Sequence, residues 1–218
     1  MIGRGERCAG SFALVMASLF ALAALNFPAL AQGTGAATDS AQAAEKWRPR
    51  PVRNGTVSLG VAGLYGTLFG GQFSDEFKAG IGVGFNPRYR TAPDQALGLS
   101  FDDQLFSVKT EVDSAAAPDQ LQFIVTTFDF YKFFSVRKRM PAYLVLGAGI
   151  AQTRITDVDG EKEFPGDGGA FKVGAGLEYW LFRSMTLDAG VRYHGLLLNS
   201  QLNHQMEASL GLNFYASP

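Results

Sequence analysis

The residues with the most versatile chemistry in this chain are its two histidines, His194 and His204. A histidine that deprotonates a serine, oriented by an acid, makes a nucleophile for ester cleavage. Gly195 follows His194, the next serine is Ser200, and Glu207 comes later still. A compact pair of this kind would have the serine two residues after the histidine, in a His-x-Ser pattern, and neither histidine has a serine at that position. We therefore expect His194 to be an ordinary histidine near the rim of the fold and His204 to lie in a loop.

A second group of reactive side chains is a run of carboxylates between Thr156 and Gly169. Its members are Asp157, Asp159, Glu161, Glu163 and Asp167. Oxygen ligands at alternate positions suit a hard cation, but the remaining spacing of a calcium loop is absent and Lys162 interrupts the run. We interpret the segment as an exposed acidic loop, and the sequence predicts neither a metal site nor a cofactor.

These residues lie in a repeated alternation of apolar and polar side chains, which runs from about Val57 to Phe214. Side chains on a strand point to opposite faces with period two, so each segment has one apolar and one polar face. The pattern predicts eight strands, each reaching the roughly 9–11 residues that a tilted strand needs to cross a bilayer. They are Thr56–Leu68, Lys78–Asn86, Ala96–Val108, Gln120–Phe134, Ala142–Ile155, Ala170–Phe182, Thr186–Leu198 and Gln201–Tyr215.

The first 31 residues have the pattern of a cleavable export signal. A basic start is followed by the apolar stretch Ser11–Leu25, and Ala29 and Ala31 form a small-x-small site cut before Gln32. The single cysteine, Cys8, lies in this signal, so we expect no disulfide in the mature chain. We predict a flexible periplasmic segment at 32–54 and one barrel domain at 55–218.

The formal net charge is −1 and the sequence has no basic stretch, so it does not predict nucleic-acid binding.

The glycines decide between a soluble and a transmembrane β-barrel. A soluble barrel also alternates, with apolar residues inside. However, Gly80, Gly82 and Gly84 share one strand face, and glycine suits a crowded interior better than a water-facing surface. We therefore predict an eight-stranded antiparallel up-and-down transmembrane β-barrel with polar residues inside and apolar residues towards lipid.

The connections predict the orientation of this barrel. Arg137–Pro141 and Arg183–Ser184 are compact and basic, whereas Lys109–Asp119 and Thr156–Gly169 are longer and acidic. Barrels of this class have short periplasmic turns and longer external loops, so the acidic segments should lie outside. Pro87–Gln95 should then be a rather long periplasmic turn.

Five charges share the polar face of the last three strands and should meet in the lumen. They are Lys172, Glu178, Asp188, Arg192 and Glu207. A two-residue turn at Asn199–Ser200 would place Arg192 opposite Glu207. A three-residue turn at 183–185 would place it opposite Gly176 and diagonal to Glu178. Buried charges must be paired, so we predict a network with Arg192 between two carboxylates, either structural or a gate.

Two motifs carry a resemblance to a known family. Pro141-Ala-Tyr-Leu-Val-Leu-Gly-Ala-Gly149 resembles the fifth strand of OmpA-like eight-stranded outer-membrane barrels, with Ala142 inserted. Gly169–Tyr179 followed by Leu187–Tyr193 resembles the last hairpin of that family, with its G-x-G-x-E-Y and R-Y patterns. Some members carry a further C-terminal domain that binds the cell wall, and we expect the barrel domain alone here.

The resemblance implies a protein of the outer membrane of a Gram-negative bacterium, without enzymatic activity and with a structural or surface-interaction role in envelope integrity, adhesion or resistance. Its expected partners are outer-membrane lipid, lipopolysaccharide and, during insertion, the barrel-assembly machinery, and we expect a monomer. Two alternatives stay open: a hydrolase that modifies lipid A, and a narrow channel or accessory subunit of an envelope complex.

Overall fold

The computed structural model describes residues 52–71, 73–74, 77–108, 120–156 and 162–216. These residues form eight strands: β1 (Val57–Leu68), β2 (Phe77–Ala92), β3 (Gln95–Val108), β4 (Gln120–Phe134), β5 (Ala142–Thr156), β6 (Lys162–Phe182), β7 (Met185–Leu198) and β8 (Gln201–Ala216). Neighbours in sequence pair antiparallel, and β8 closes on β1. The predicted up-and-down barrel is confirmed. Within the described residues, no helix is long and apolar enough to cross a bilayer.

The strand β2 continues beyond the predicted end, because Pro87 does not end it. The prediction of a turn at Pro87–Gln95 is wrong, since β2 pairs with β3 up to Ala92. Proline has no N–H to donate to the neighbouring strand. The side-chain amide of Asn86 instead donates to the carbonyl of Leu99, which the register places opposite Pro87, at 3.1 Å.

The strand β6 begins earlier than predicted and shortens the acidic loop. It starts at Lys162 because β5 offers it a partner, with Thr156 opposite Lys162 and Gln152 opposite Asp167. The prediction that Glu163 and Asp167 lie in a loop is therefore wrong, since both lie on β6. The remaining predicted loop acids, Asp157, Asp159 and Glu161, lie outside the described residues, as do the predicted signal-cleavage residues Ala29 and Ala31.

The two ends of the barrel differ in their connections. We call the end with the turns at 93–94, 135–141 and 183–184 the basal end, and the opposite end the outer end. At the outer end, Asn199 and Ser200 form the predicted two-residue turn between β7 and β8. Their φ angles are +49° and +64°, and the favoured two-residue hairpin turns use such positive values.

The two faces of the strands are arranged as predicted. Apolar side chains point outward, with Val83 63% exposed and Val191 51% exposed. The adjacent Arg192 points into the lumen and is buried. Inward glycines leave room for neighbouring side chains, since a Cβ at Gly176 would collide with the Tyr143 ring. The outward apolar side chains, which we call the apolar belt, therefore cover the outside of the barrel, and the polar side chains fill the lumen.

Aromatic and aliphatic side chains close the lumen at both ends. Near the outer end they form one packed cluster, which we call the outer cap: Phe73, Phe77, Phe106, Leu121, Phe123, Val125, Ala151, Ala170, Leu196 and Leu198. The rings of Phe106 and Phe123 pack edge to face at 5.4 Å. Near the basal end Tyr131, Phe133 and Tyr143 pack together, and Trp180 packs on Tyr215. The polar lumen lies between these layers.

Candidate functional site

The lumen between the two apolar layers contains ten buried ionisable side chains in the described part of the chain, tyrosines aside. They are Arg88, Arg90, Asp102, Asp129, Lys172, Glu178, Asp188, Arg192, His194 and Glu207. Each is at most 5% exposed. Charges in such a place are stable only when they are paired and hydrogen-bonded. The pairs form three groups along the barrel axis.

The basal group is built on two arginines of β2. Arg88 binds Glu178 at 2.6 Å and Asp188 at 3.3 Å, and so bridges β6 and β7. Arg90 lies 3.8 Å from the other oxygen of Glu178, and the hydroxyl of Tyr215 donates to that oxygen. Two cations therefore share two carboxylates across the lumen.

Aromatic side chains complete the basal group. The guanidinium of Arg88 lies 4.4 Å from the centre of the Tyr131 ring, and that of Arg90 lies 3.3 Å from the centre of the Phe133 ring. Such contacts add cation–π attraction where water is excluded. The hydroxyl of Tyr143 donates to Asp188 at 2.9 Å. The group is thus held by both charge and packing.

The central group is the pair Lys172 and Asp129, which joins β6 to β4 at 2.6 Å. Asp129 also accepts hydrogen bonds from Thr127 at 2.8 Å, from Tyr131 at 3.1 Å and from Ser100. A carboxylate can accept about four hydrogen bonds, and Asp129 accepts four when the bond from Lys172 is included. Asp129 is therefore a structural carboxylate with no spare capacity for a ligand.

The outer group is centred on Glu207. Arg192 binds its Oε1 at 2.8 Å, and Nε2 of His194 lies 3.5 Å from its Oε2. The amide of Gln104 donates to the same Oε2, and Gln205 donates to Gln104 at 2.8 Å. Glu207 thus links the hairpin of β7 and β8 to β3 on the other side of the lumen.

The predicted register is confirmed on one side of β7 and wrong on the other. Arg192 lies opposite Glu207, as predicted. It lies opposite Gly174 and not Gly176, and the ion pairs of Glu178 are with Arg88 and Arg90. The predicted position of Arg192 between Glu178 and Glu207 is therefore wrong. The turn has two residues, and an irregularity between Trp180 and Phe182 shifts the pairing.

The five predicted lumen charges all lie inside the barrel, but they belong to all three groups. The prediction missed Arg88 and Arg90, because it places a turn at Pro87–Gln95. Their signal was present, since Asn86, Arg88 and Arg90 continue the alternation beyond the proline. Asp129 was also missed, although it occupies an inward position of a strand whose bounds were predicted correctly.

Both histidines lie elsewhere than expected. His194 is a buried lumen residue and not a rim residue. His204 does not lie in a loop but on β8. Its ring stacks on the Phe69 ring with the two ring centres 5.7 Å apart, and its Nδ1 forms a hydrogen bond of 2.6 Å with the hydroxyl of Tyr193. Ser200 lies in the exposed outer turn. The fold therefore separates the lumen histidine from the serine that a hydrolytic pair would need.

The outer part of β5 and β6 presents polar groups on the outside. Asp167 is exposed, and with Gln152, Arg154 and Gly166 it lines a surface cavity of about 230 Å³. Of the five acids predicted to form the external loop, Asp167 alone has a described side chain. The outer hairpin therefore combines both signs of charge.

Solved structures of other proteins share this architecture. Neisserial surface protein A aligns over 74% of this chain and 99% of its own, at 16% identity and a TM-score of 0.57. The outer membrane protein OprG from Pseudomonas aeruginosa aligns over 78% of this chain and 100% of its own, at 12% identity and a TM-score of 0.54. This chain has the fold of an eight-stranded outer-membrane β-barrel.

The resemblance to OmpA-like barrels is thereby confirmed for the fold, and identities this low show the fold alone. No family profile and no curated protein sequence matches the chain. The fold also supports a location in a Gram-negative outer membrane, because it is the fold of proteins of that membrane.

Proposed function

We propose that this outer-membrane barrel is non-enzymatic and acts through the surface at its outer end, in envelope integrity, adhesion or resistance. The observation that carries the proposal is the filled lumen. An eight-stranded barrel is just wide enough for side chains to fill, and here ion groups and two apolar layers occupy it. A lumen filled in this way leaves the outer connections as the working surface.

The hairpin of β5 and β6 supports this proposal. Its strands have 15 and 21 residues, more than the roughly 9–11 needed to cross a bilayer. The strand β6 pairs with β7 from Gly168 onward, whereas its pairing with β5 starts at Lys162. The segment 162–167 therefore extends beyond the wall that β7 forms. Exposed hairpins on a rigid scaffold commonly carry binding functions.

The name of the similar Neisserial protein, a surface protein, agrees with this role. We further propose lipopolysaccharide and outer-membrane lipid as its immediate surroundings, the barrel-assembly machinery as its partner during insertion, and a monomeric state. A hydrolase of lipid A is not favoured, because His194 lies beneath the outer cap and Ser200 lies in the exposed turn.

Three measurements test the proposal together. Purified protein in planar bilayers should give no conductance steps, whereas a porin of known size in the same bilayer should. Lipid A from cells that express the protein should have the same mass as lipid A from cells that lack it. Replacing residues 154–165 with an Asn-Gly turn should keep the barrel folded but abolish the surface phenotype that the parent protein gives to cells, measured as adhesion to surfaces, survival in serum and resistance of the envelope to detergent. Conductance by the parent, an altered lipid A mass, or unchanged surface phenotypes would contradict the proposal.

A further inference from the structure

Asp102, His194 and Glu207 come from three different strands, β3, β7 and β8, and meet beneath the outer cap. Each offers one ligand atom, and these atoms all lie within 4.8 Å of one another. The three side chains are buried, with 3%, 1% and 1% exposure. We infer that they form a binding site for one divalent transition-metal ion inside the lumen.

Unsatisfied polar atoms point to a ligand at this place. Both ring nitrogens of His194 lack a hydrogen-bond partner among the described residues, and so does Oδ2 of Asp102. Buried polar atoms are almost always hydrogen-bonded, and each exception requires an explanation. A metal ion between the three side chains would use one nitrogen of His194 and an oxygen of Asp102 at the same time.

The balance of charge agrees. Among the described residues, four cationic side chains and five carboxylates are buried in the lumen. Ion pairs link the cations to Asp129, Glu178, Asp188 and Glu207. Asp102 is the buried carboxylate that makes no ion pair with any described residue. The unbalanced negative charge therefore lies at this site, where a cation would be attracted.

The donor set selects the kind of cation. One imidazole nitrogen with two carboxylate oxygens suits zinc, iron or manganese, whereas calcium and magnesium prefer oxygen ligands alone. Bonds of roughly 2.0–2.2 Å require the three side chains to move slightly closer together. Such movements are available to the longer side chain of Glu207 and to the ring of His194.

The hydrogen bonds of Glu207 leave room for this role. Arg192 occupies its Oε1, while Oε2 faces His194 and accepts one hydrogen bond from Gln104. A carboxylate oxygen has two lone pairs, so Oε2 can accept that bond and bind a metal.

The bound ion would have a structural role, because it would cross-link β3, β7 and β8 inside the filled lumen. Asp102 on β3 is far in sequence from His194 and Glu207 and meets them only when the barrel closes, so binding of the ion is coupled to folding. The outer cap covers the site, so the ion should be taken up during assembly and exchange slowly. This role does not depend on the surface function proposed above.

The chain has only two histidines, which allows a sharp test. The full-length gene product, without a histidine tag, is expressed, purified from outer membranes in detergent, and refolded with Zn²⁺ or with a chelator. In the His204→Gln variant every histidine signal comes from His194. We expect one zinc per chain by mass spectrometry, a shift of the ring ¹⁵N resonances of His194 on zinc binding, and a higher unfolding temperature with zinc than with chelator.

The matched variants are His194→Gln and Asp102→Asn, with folding checked by the mobility of unboiled samples on SDS gels. Folded variants should lose the zinc and its effect on the unfolding temperature, while His204→Gln should keep both. Absence of zinc in folded His204→Gln, unchanged ¹⁵N resonances, or equal zinc content in folded His194→Gln would overturn the inference. The first two outcomes are informative even if the lumen variants fail to fold.

Discussion

Nη1 of Arg192 lies 2.8 Å from Oε1 of Glu207, and the two residues face each other directly across β7 and β8. Both are buried in the lumen. Removal of one partner of such a pair leaves an uncompensated buried charge, which costs more than the intact pair contributes. This asymmetry makes the pair a direct probe of the register of the last hairpin.

The variant Arg192→Met should lower the free energy of unfolding by about 3–5 kcal/mol, because Glu207 then loses its cation. Arg192→Met combined with Glu207→Gln should recover part of this loss. As the control, Arg192→Met with Glu178→Gln should show no recovery, because the ion pairs of Glu178 are with Arg88 and Arg90. Urea unfolding in detergent, followed by tryptophan fluorescence, measures each step. Recovery with Glu178→Gln and none with Glu207→Gln would show that this pairing is wrong.

The apolar belt should reject charge at its middle. Val191 points outward next to the inward Arg192, so Val191→Arg would place a cation in the hydrocarbon region of the bilayer. The expected cost is about 2–4 kcal/mol in lipid vesicles. Val191→Leu is the matched control and should behave like the parent. Normal folding of Val191→Arg with failure of Val191→Leu would reverse the inside and outside faces.

Two glycines of β6 on opposite faces should respond differently to the same substitution. A Cβ at Gly176 would collide with Tyr143, whereas a Cβ at Gly169 meets no atom within 4 Å. Gly176→Val should therefore destabilise the barrel by about 1–3 kcal/mol through overpacking. Gly169→Val should be neutral or stabilising, since β-branched residues favour strands. Unfolding midpoints in urea compare the two, and equal losses would show that lumen crowding is not the cause.

The contribution of the turn between β2 and β3 to the stability of the fold should decrease slightly at low pH. The side chain of Lys132 donates a hydrogen bond to Asp94, and this bond with the lysine charge holds the pKa of that carboxyl below its ordinary value of 3.8. A lowered pKa stabilises the fold above the pKa of the unfolded chain, and the contribution disappears as the pH falls through the folded-state pKa. In Lys132→Met, ¹³C NMR titration should find the pKa of Asp94 raised, and an unchanged value would contradict the assignment.

The predicted orientation in the membrane can be measured with single cysteines, because the chain has one natural cysteine and it lies in the predicted signal. Gln201→Cys is exposed at the outer end and Lys138→Cys at the basal end. A maleimide that cannot cross the membrane should label Gln201→Cys on intact cells. It should label Lys138→Cys only after the outer membrane is opened. The opposite pattern would mean that the barrel is inserted the other way round.

Local features of the sequence were enough to predict much of this barrel. The bounds of β4 were predicted without error, and the alternation identified which residues face the lumen. The pairing of Arg192 with Glu207 was also predictable, because a two-residue turn fixes the register of the adjacent hairpin. These features depend on contacts between residues that are close in sequence.

Partners across the lumen were decided by the closed barrel. Arg88 and Glu178 are 90 residues apart, and the cluster of Asp102, His194 and Glu207 joins three strands. Such contacts depend on the register of every strand pair around the barrel. The two-residue turn at 183–184 and the irregularity near Trp180 together moved Arg192 away from Glu178. The sequence by itself determined which side chains enter the lumen. Only closure of the barrel decided which of them meet. Local periodicity sets the face to which a side chain points, but it does not set how strands that are distant in sequence are shifted relative to one another along the barrel axis.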